Sequence, residues 1–286
     1  MSLWLVLAVN SVTLGGLLFL LSAGFSLIFG LMRIPNLTHG SFFMLGAYLA
    51  ASLIQAGLDF WTAALLSGLL VAAFGGVIER LLLRRLAGAE LAQVLVTLGL
   101  SFMVADVCLK VWTGDPIRIA TPAALSGTAS VLGMTFPAYR LAISVIAVAF
   151  AVALWALLDR TRLGAMIRAG VDDPAMARVA GIRVSRLFTL VFCLGAWLAG
   201  FAGVIGGPIL SVYPGLDQEM LPLALVVVIL GGSGSLLGSL VGSLIVGFLY
   251  NFGQAMFPEL AYVVLFLPML LVLVIRPQGL FGRQPA

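Results

Sequence analysis

The 286-residue sequence is 62% hydrophobic and only 9% charged, whereas a soluble domain carries about 25% charged residues. So little charge cannot cover a water-facing surface, which excludes a soluble globular enzyme; lipid removes that requirement. The net charge of +4 does not point to nucleic acid, because the arginines gather in a few loops, as bilayer orientation demands.

Charge-free stretches of roughly 20 residues locate membrane spans. The first, Leu3–Leu31, has no positively charged segment before it and reads as a retained helix, not a cleaved signal. Leu37–Ala56, Phe60–Ile78, Leu91–Trp112, Leu141–Leu158 and Leu187–Ile205 follow. From Met220 to Pro258 no charge occurs; this is too long for one span, and the glycine run Gly231–Gly234 divides it. Leu260–Ile275 is last. The expected fold is therefore all-α: a polytopic bundle of eight to ten transmembrane helices forming one domain over 1–286, with broken helices and an internal repeat.

The loops after the third and fifth spans and the tail hold eleven arginines; nine spans place all three on one side. The positive-inside rule makes that side cytoplasmic, with the N-terminus outside. Arg33 sits at a break and is assigned to neither side.

Two segments are too polar or irregular for plain spans: Arg33 to Ser41, and Gly206 to Glu219. An apolar helix and then a glycine-spaced helix follow each, which suggests a repeat of the kind transporters use. The candidate translocation-pathway residues come from these breaks: Asn36, Thr38, His39, Gly40, Ser41, Gly207 and Pro208. His39 lines the pathway in one reading; in the simpler one its ring bonds backbone groups freed by the break around Pro35.

The longest polar loop is expected over 159–186. Within it Asp173-Pro174 is a good helix start, Ala175–Ala180 a short helix and Gly181 its stop. Such a helix suits docking into a partner's groove; a solvated loop that merely fixes topology is the blander reading.

Much chemistry is missing from the sequence. Lys110 is the only lysine and no G-x-x-x-x-G-K-[ST] loop exists. One histidine, His39, cannot build a zinc site or a hydrolytic triad. Cys108 and Cys193 lie in apolar runs and read as core residues. Asp106 and Lys110, four apart on one helix, are expected to pair, and Glu79 to sit at a helix end beside Arg80. No deep carboxylate is evident, although a re-entrant segment could draw Asp217 and Glu219 inward.

Three segments carry a family resemblance. Asn36-Leu37-Thr38-His39-Gly40-Ser41-Phe42-Phe43-Met44-Leu45-Gly46-Ala47-Tyr48 resembles the N-F-A-H-G-E-F-Y-M-L-G-A-Y segment of the H-type, LivH-like permease subunit of branched-chain amino acid ABC importers. Gly231 to Gly238 resembles that family's G-G-x-G-S-x-x-G turn, and Arg276 to Gly282 its R-P-x-G-L-F-G ending. The resemblance covers Gly16 to Gly282. It implies that the 159–186 loop holds a coupling helix, with Asp173, Pro174, Ala175, Met176, Ala177, Arg178 and Gly181 as ATPase-coupling candidates; the family's glutamate is replaced by Ala175. It also implies a homologous second (M-type) permease, two cytoplasmic ATPase subunits that bind ATP and Mg, and an extracytoplasmic solute-binding protein. The chain itself would need no cofactor and catalyse nothing; it would sit in the inner or cytoplasmic membrane of a bacterium or archaeon. An ion-coupled secondary transporter and a channel or structural subunit are the competing readings.

Overall fold

A computed structural model describes residues 2–32, 36–131 and 134–282. Arg33, Pro35 and Arg283, each noted above, lie outside the described residues. The chain forms α1 (Ser2–Met32), α2 (Thr38–Gln55), α3 (Phe60–Leu81), α4 (Glu90–Trp112), a hairpin of β1 (Thr128–Val131) and β2 (Met134–Pro137), α5 (Ala138–Arg160), α6 (Arg162–Asp172), α7 (Pro174–Val179), α8 (Val184–Leu210), α9 (Leu216–Gly231), α10 (Leu236–Met256) and α11 (Ala261–Ile275). Among the described residues seven helical segments are long and apolar enough to cross a bilayer. α2 and α9, with 18 and 16 residues, are not among them, because each is shorter or more polar than a plain span.

α1 and α8 form the centre: their spanning stretches are 78% and 72% buried, against 17% for α4 and 6% for the last span. Lipid gives apolar helices no hydrophobic reason to associate, so close packing of small residues must hold them together. Gly24 meets Gly195 where α1 crosses α8, and Gly46 meets Gly200 where α2 crosses it; a Cβ at Gly24, Gly195 or Gly46 would strike the other helix, and one at Gly200 would strike Val71 of α3. The stripe Gly238, Ser239, Gly242, Ser243, Gly247 on α10 is buried; Gly238 and Gly242 pack on Gly231 and Val227 of α9, while Ser243 and Gly247 let α1 approach through Gly15 and Ser11. Hydroxyls in α1 bond back along the helix, Ser11 to the Leu7 carbonyl (2.7 Å) and Thr13 to that of Val9 (2.9 Å), so neither is left unpaired in an apolar setting.

Helix directions follow from which ends touch. The α3–α4 turn reaches the start of α8, Arg84 donating to the Ser185 carbonyl (3.1 Å). Gly234, before α10, donates to Ser26 near the end of α1 (3.0 Å). The tail returns to the end of α9, with Leu280 and Phe281 amides bonding the Leu230 and Gly231 carbonyls. The arginine-bearing loops thus share one end. The opposite end holds the Trp4–Phe252 stack and the Arg140–Asn10 bond. α2 runs away from the arginine-rich end and α9 towards it, so the pairs α2–α3 and α9–α10 run in opposite senses.

The structure corrects several boundaries. α8 continues to Leu210, so Gly206, Gly207 and Pro208 are helical rather than part of a break. Proline at 208 has no amide to offer the turn below it, and the Tyr139 hydroxyl donates to the nearby Ile205 carbonyl (2.8 Å). α9 begins at Leu216, four residues before Met220, and therefore takes in Asp217 and Glu219. The expected polar loop over 159–186 is mostly helical. α6 buries Gly164, Ile167 and Gly170, and Ile167 packs with Leu187 and Val191 in a small separate core. The β1–β2 hairpin was not foreseen.

Candidate functional site

The N-termini of α2 and α9 meet inside the bundle. At Gly40 the two backbones are so close that a Cβ would lie 2.7 Å from the Asp217 carbonyl oxygen. Against this junction α4 presents one polar face. Gln93, Thr97, Ser101, Val104 and Cys108 are its buried residues, spaced four, four, three and four apart, so they form one stripe on an otherwise exposed helix. α2 answers with Thr38, Ser41, Tyr48 and Ser52, and the two faces form a seam. The Thr38 hydroxyl donates to the Thr97 carbonyl (2.8 Å). Ser41 and Ser101 hydroxyl oxygens lie 2.9 Å apart. Tyr48 stacks on Trp112, whose indole donates to the Ser52 hydroxyl (2.6 Å).

Asp217 closes the seam. It is 2% exposed, and its Oδ2 accepts from Ser41 (3.0 Å) and Ser101 (3.3 Å). Ser101 is eleven residues into α4, about 16 Å along a helix of about 34 Å; the carboxylate lies near mid-depth. It occupies the first turn of α9, where the helix dipole favours negative charge. Among the described residues its Oδ1 has no hydrogen-bond partner, and the same is true of the Asn36 amide nitrogen, His39 Nδ1, the Tyr48 hydroxyl and Gln93 Oε1. Buried polar atoms without partners are few in folded proteins; here several line one seam.

Of the sequence candidates, Asn36, Thr38, His39, Gly40 and Ser41 are all buried at this junction. The Asn36 side chain accepts from the Thr38 amide (3.1 Å) and starts α2. His39 Nε2 bonds the Leu21 carbonyl of α1 (2.9 Å), which is mid-helix backbone, not a group freed by the break. Gly207 and Pro208 stand apart from the cluster, near the end of α8; Gly207 packs on Ile119. Sequence reasoning missed Thr97 and Ser101, although the i, i+4 spacing of Gln93, Thr97 and Ser101 within an apolar span was the available signal. Of the two carboxylates that could be drawn inward, Asp217 is buried and Glu219 is exposed.

Other charged groups depart from expectation too. Asp106 and Lys110 are both exposed; the ion pairs among the described residues are Arg84–Glu79 and Arg168–Asp159. Glu79 is 2% exposed and paired with Arg84, not Arg80 (3.0 Å). Arg84 contacts both carboxylate oxygens, and Thr189 of α8 donates to Glu79 (2.7 Å). Cys108 is buried, Cys193 half-buried, and both are free thiols.

At the arginine-rich end α7 is as expected. Asp173 caps it, Oδ1 accepting from the Ala175 and Met176 amides (2.9 Å each). Pro174 takes the first helical position, and Gly181, at φ +84°, ends the turn. Ala177 is the one buried residue of the helix. Met176 (63% exposed) and Val179 (84%) project from it as apolar groups, beside the exposed Ala175 and Arg178.

Residues 7–273 match the family described as branched-chain amino acid transport system / permease component. The chain belongs to that family. It is 30% identical over 292 residues to the high-affinity branched-chain amino acid transport system permease protein BraD of Pseudomonas aeruginosa, covering 96% of this chain and 94% of that one. LivH of Escherichia coli K12, a permease protein of the same description, is 28% identical with the same coverage. The ribose import permease protein RbsC of Haemophilus influenzae is 29% identical over 76% of this chain and 68% of its own. No solved structure matches. The chain is thus a membrane-embedded permease component.

Proposed function

We propose that this chain is the permease subunit of an ATP-driven ABC importer and forms half of a translocation pathway for branched-chain or other small amino acids and related solutes. The observation that carries the reading is α7: a capped, six-residue helix with Met176 and Val179 exposed, on the end that holds the arginine loops. An apolar face presented to water on the cytoplasmic side fits a groove on another protein, and Asp173, Pro174, Ala175, Met176, Ala177, Arg178 and Gly181 would make that contact.

The partners are then a homologous second permease of the M type, two cytoplasmic ATPase subunits that bind ATP and Mg, and an extracytoplasmic solute-binding protein, all at a bacterial or archaeal inner membrane. ATP closes the ATPase dimer, α7 moves with it, and the permease pair shifts towards its outward-open arrangement; hydrolysis restores the inward one. This is a population shift driven by differential affinity for ATP. α7 transmits through α8, which Arg84 and Glu79 tie to α3. Amino acids are favoured over pentoses because the relatives named for branched-chain amino acids match across 96% of the chain and the ribose permeases across 76%.

The test is co-expression with candidate partner subunits, purification and reconstitution into vesicles. Uptake that requires ATP, ATPases and binding protein together establishes the reading. One observation favours a second reading: a buried carboxylate with a free oxygen, Asp217, is what an ion-coupled secondary carrier needs. Uptake driven by a proton or sodium gradient, by the permease without ATPases, would replace the importer reading with that one.

A further inference from the structure

We propose that Asp217 is the group that receives the ammonium of a transported amino acid at mid-membrane; this rests on the importer reading above. An ionised carboxylate only accepts hydrogen bonds and has about four lone-pair positions. The two serine hydroxyls reach Oδ2 alone, and Oδ1, fully buried, receives nothing. Among the described residues no Lys, Arg or His pairs with it, whereas the other buried carboxylate, Glu79, holds an arginine. The start of α9 favours negative charge at this position.

The cation it fits is a primary ammonium, with three donors and one positive charge. Such a group would neutralise Asp217 and donate to Oδ1 while the serines keep Oδ2. A sugar hydroxyl would donate without neutralising, which is a poor exchange at this depth. Room for the rest of the solute has to come from parting the α2–α4 seam. That seam is suited to part: α4 is buried along one stripe, and the polar rungs on that stripe are single hydrogen bonds that water or solute can replace. Tyr48, whose hydroxyl is also unpartnered, lies two turns further along α2, about 10 Å away, on the route to the opposite end.

The experiment uses the complete reconstituted transporter with leucine-loaded binding protein. Asp217→Asn keeps the size of the side chain and removes the charge. Leucine uptake is expected to fall at least about tenfold, a loss of about 1.4 kcal/mol or more, while ATP hydrolysis stimulated by the binding protein persists. Uptake within about twofold of wild type overturns the proposal. If the variant loses both activities, wild-type protein labelled with 13C-aspartate decides, since Asp217 is the one buried aspartate among the described residues. Its infrared carboxylate band, slow to respond to solvent deuteration, should shift with leucine and not with 4-methylpentanoate, which lacks the amine. No shift with leucine, or an equal shift with 4-methylpentanoate or ribose, overturns it. A wild-type complex that imports no amino acid with ATP fails the importer reading itself, a distinct result.

Discussion

Two carboxylates are buried to the same degree and are treated in opposite ways. Glu79, at the arginine-rich end, has Arg84 across both oxygens and the Thr189 hydroxyl besides. Asp217, near mid-depth, has two serine hydroxyls on one oxygen and none on the other. The first arrangement is complete and fastens α3 to α8 at the end that carries α7. The second is incomplete and joins three helices, α2, α4 and α9, only through weak links. A buried charge that is fully paired is costly to disturb, whereas one left half-paired is open to a partner from outside. On the proposals above, the contrast separates a joint that transmits motion from a place that changes occupancy.

The strongest way to break this comparison is to strip Glu79 of its partner. Arg84→Met leaves an uncompensated buried carboxylate and should destabilise the folded chain by about 3–5 kcal/mol, read as a lowered thermal midpoint in detergent. Adding Glu79→Gln should restore most of the loss, because both charges are then gone. If Arg84→Met is harmless, Glu79 is no more fully satisfied than Asp217 and the distinction between them collapses.

A smaller effect belongs to the seam. Ser101→Ala removes one of two hydrogen bonds to a charged group, worth about 1.5–3 kcal/mol, yet leaves Ser41 on Oδ2. The expected loss in thermal stability is smaller than that of Arg84→Met, and it should shrink when leucine is present. A loss as large as that of Arg84→Met would make Asp217 a structural joint like Glu79.

Next comes the end of α7. Gly181→Val places a β-branched residue at φ +84°, a conformation costing L-residues about 1–2 kcal/mol. Because the site is exposed and a Cβ there meets nothing, the cost falls on the local turn and not on the bundle. ATP hydrolysis should continue while uptake per ATP drops severalfold. Unchanged coupling would show that α7 is only a solvated turn.

How much of this was legible in the sequence depends on whether the signal was local. Asp173-Pro174 and Gly181 mark a helix within eight residues, and α7 followed. The charge-free stretches gave the spans for the same reason, since lipid imposes length and composition directly. The seam was harder. Asn36, Thr38, His39 and Ser41 stood out beside a break, but Thr97 and Ser101 are ordinary polar residues in an apolar span, and their meaning comes from meeting α2. Asp217 was ambiguous because the sequence does not say on which side of α9 a first-turn residue falls; its neighbour Glu219, two positions on, points outward. Glu79 sits at the end of α3 beside Arg80, as its position indicates; that Arg84, five residues on, reaches back to it depends on how the chain turns after α3. Asp106 and Lys110 fit an i, i+4 pair by spacing alone, but such pairs on an exposed face gain little.

The smallest expected effect tests whether α7 stands apart from the Glu79 joint or depends on it. Asp173→Ala removes two capping bonds from an exposed helix start, a loss of about 1 kcal/mol. α7 touches the bundle chiefly through Ala177, so the loss should be confined to α7. Amide exchange across Pro174–Val179 should quicken about fivefold, the factor that 1 kcal/mol implies, while α3 and α8 around Glu79 keep their protection. If protection is lost around Glu79 as well, α7 and the Arg84 joint are one cooperative unit, and the paired carboxylate belongs to the docking element itself instead of standing apart from it.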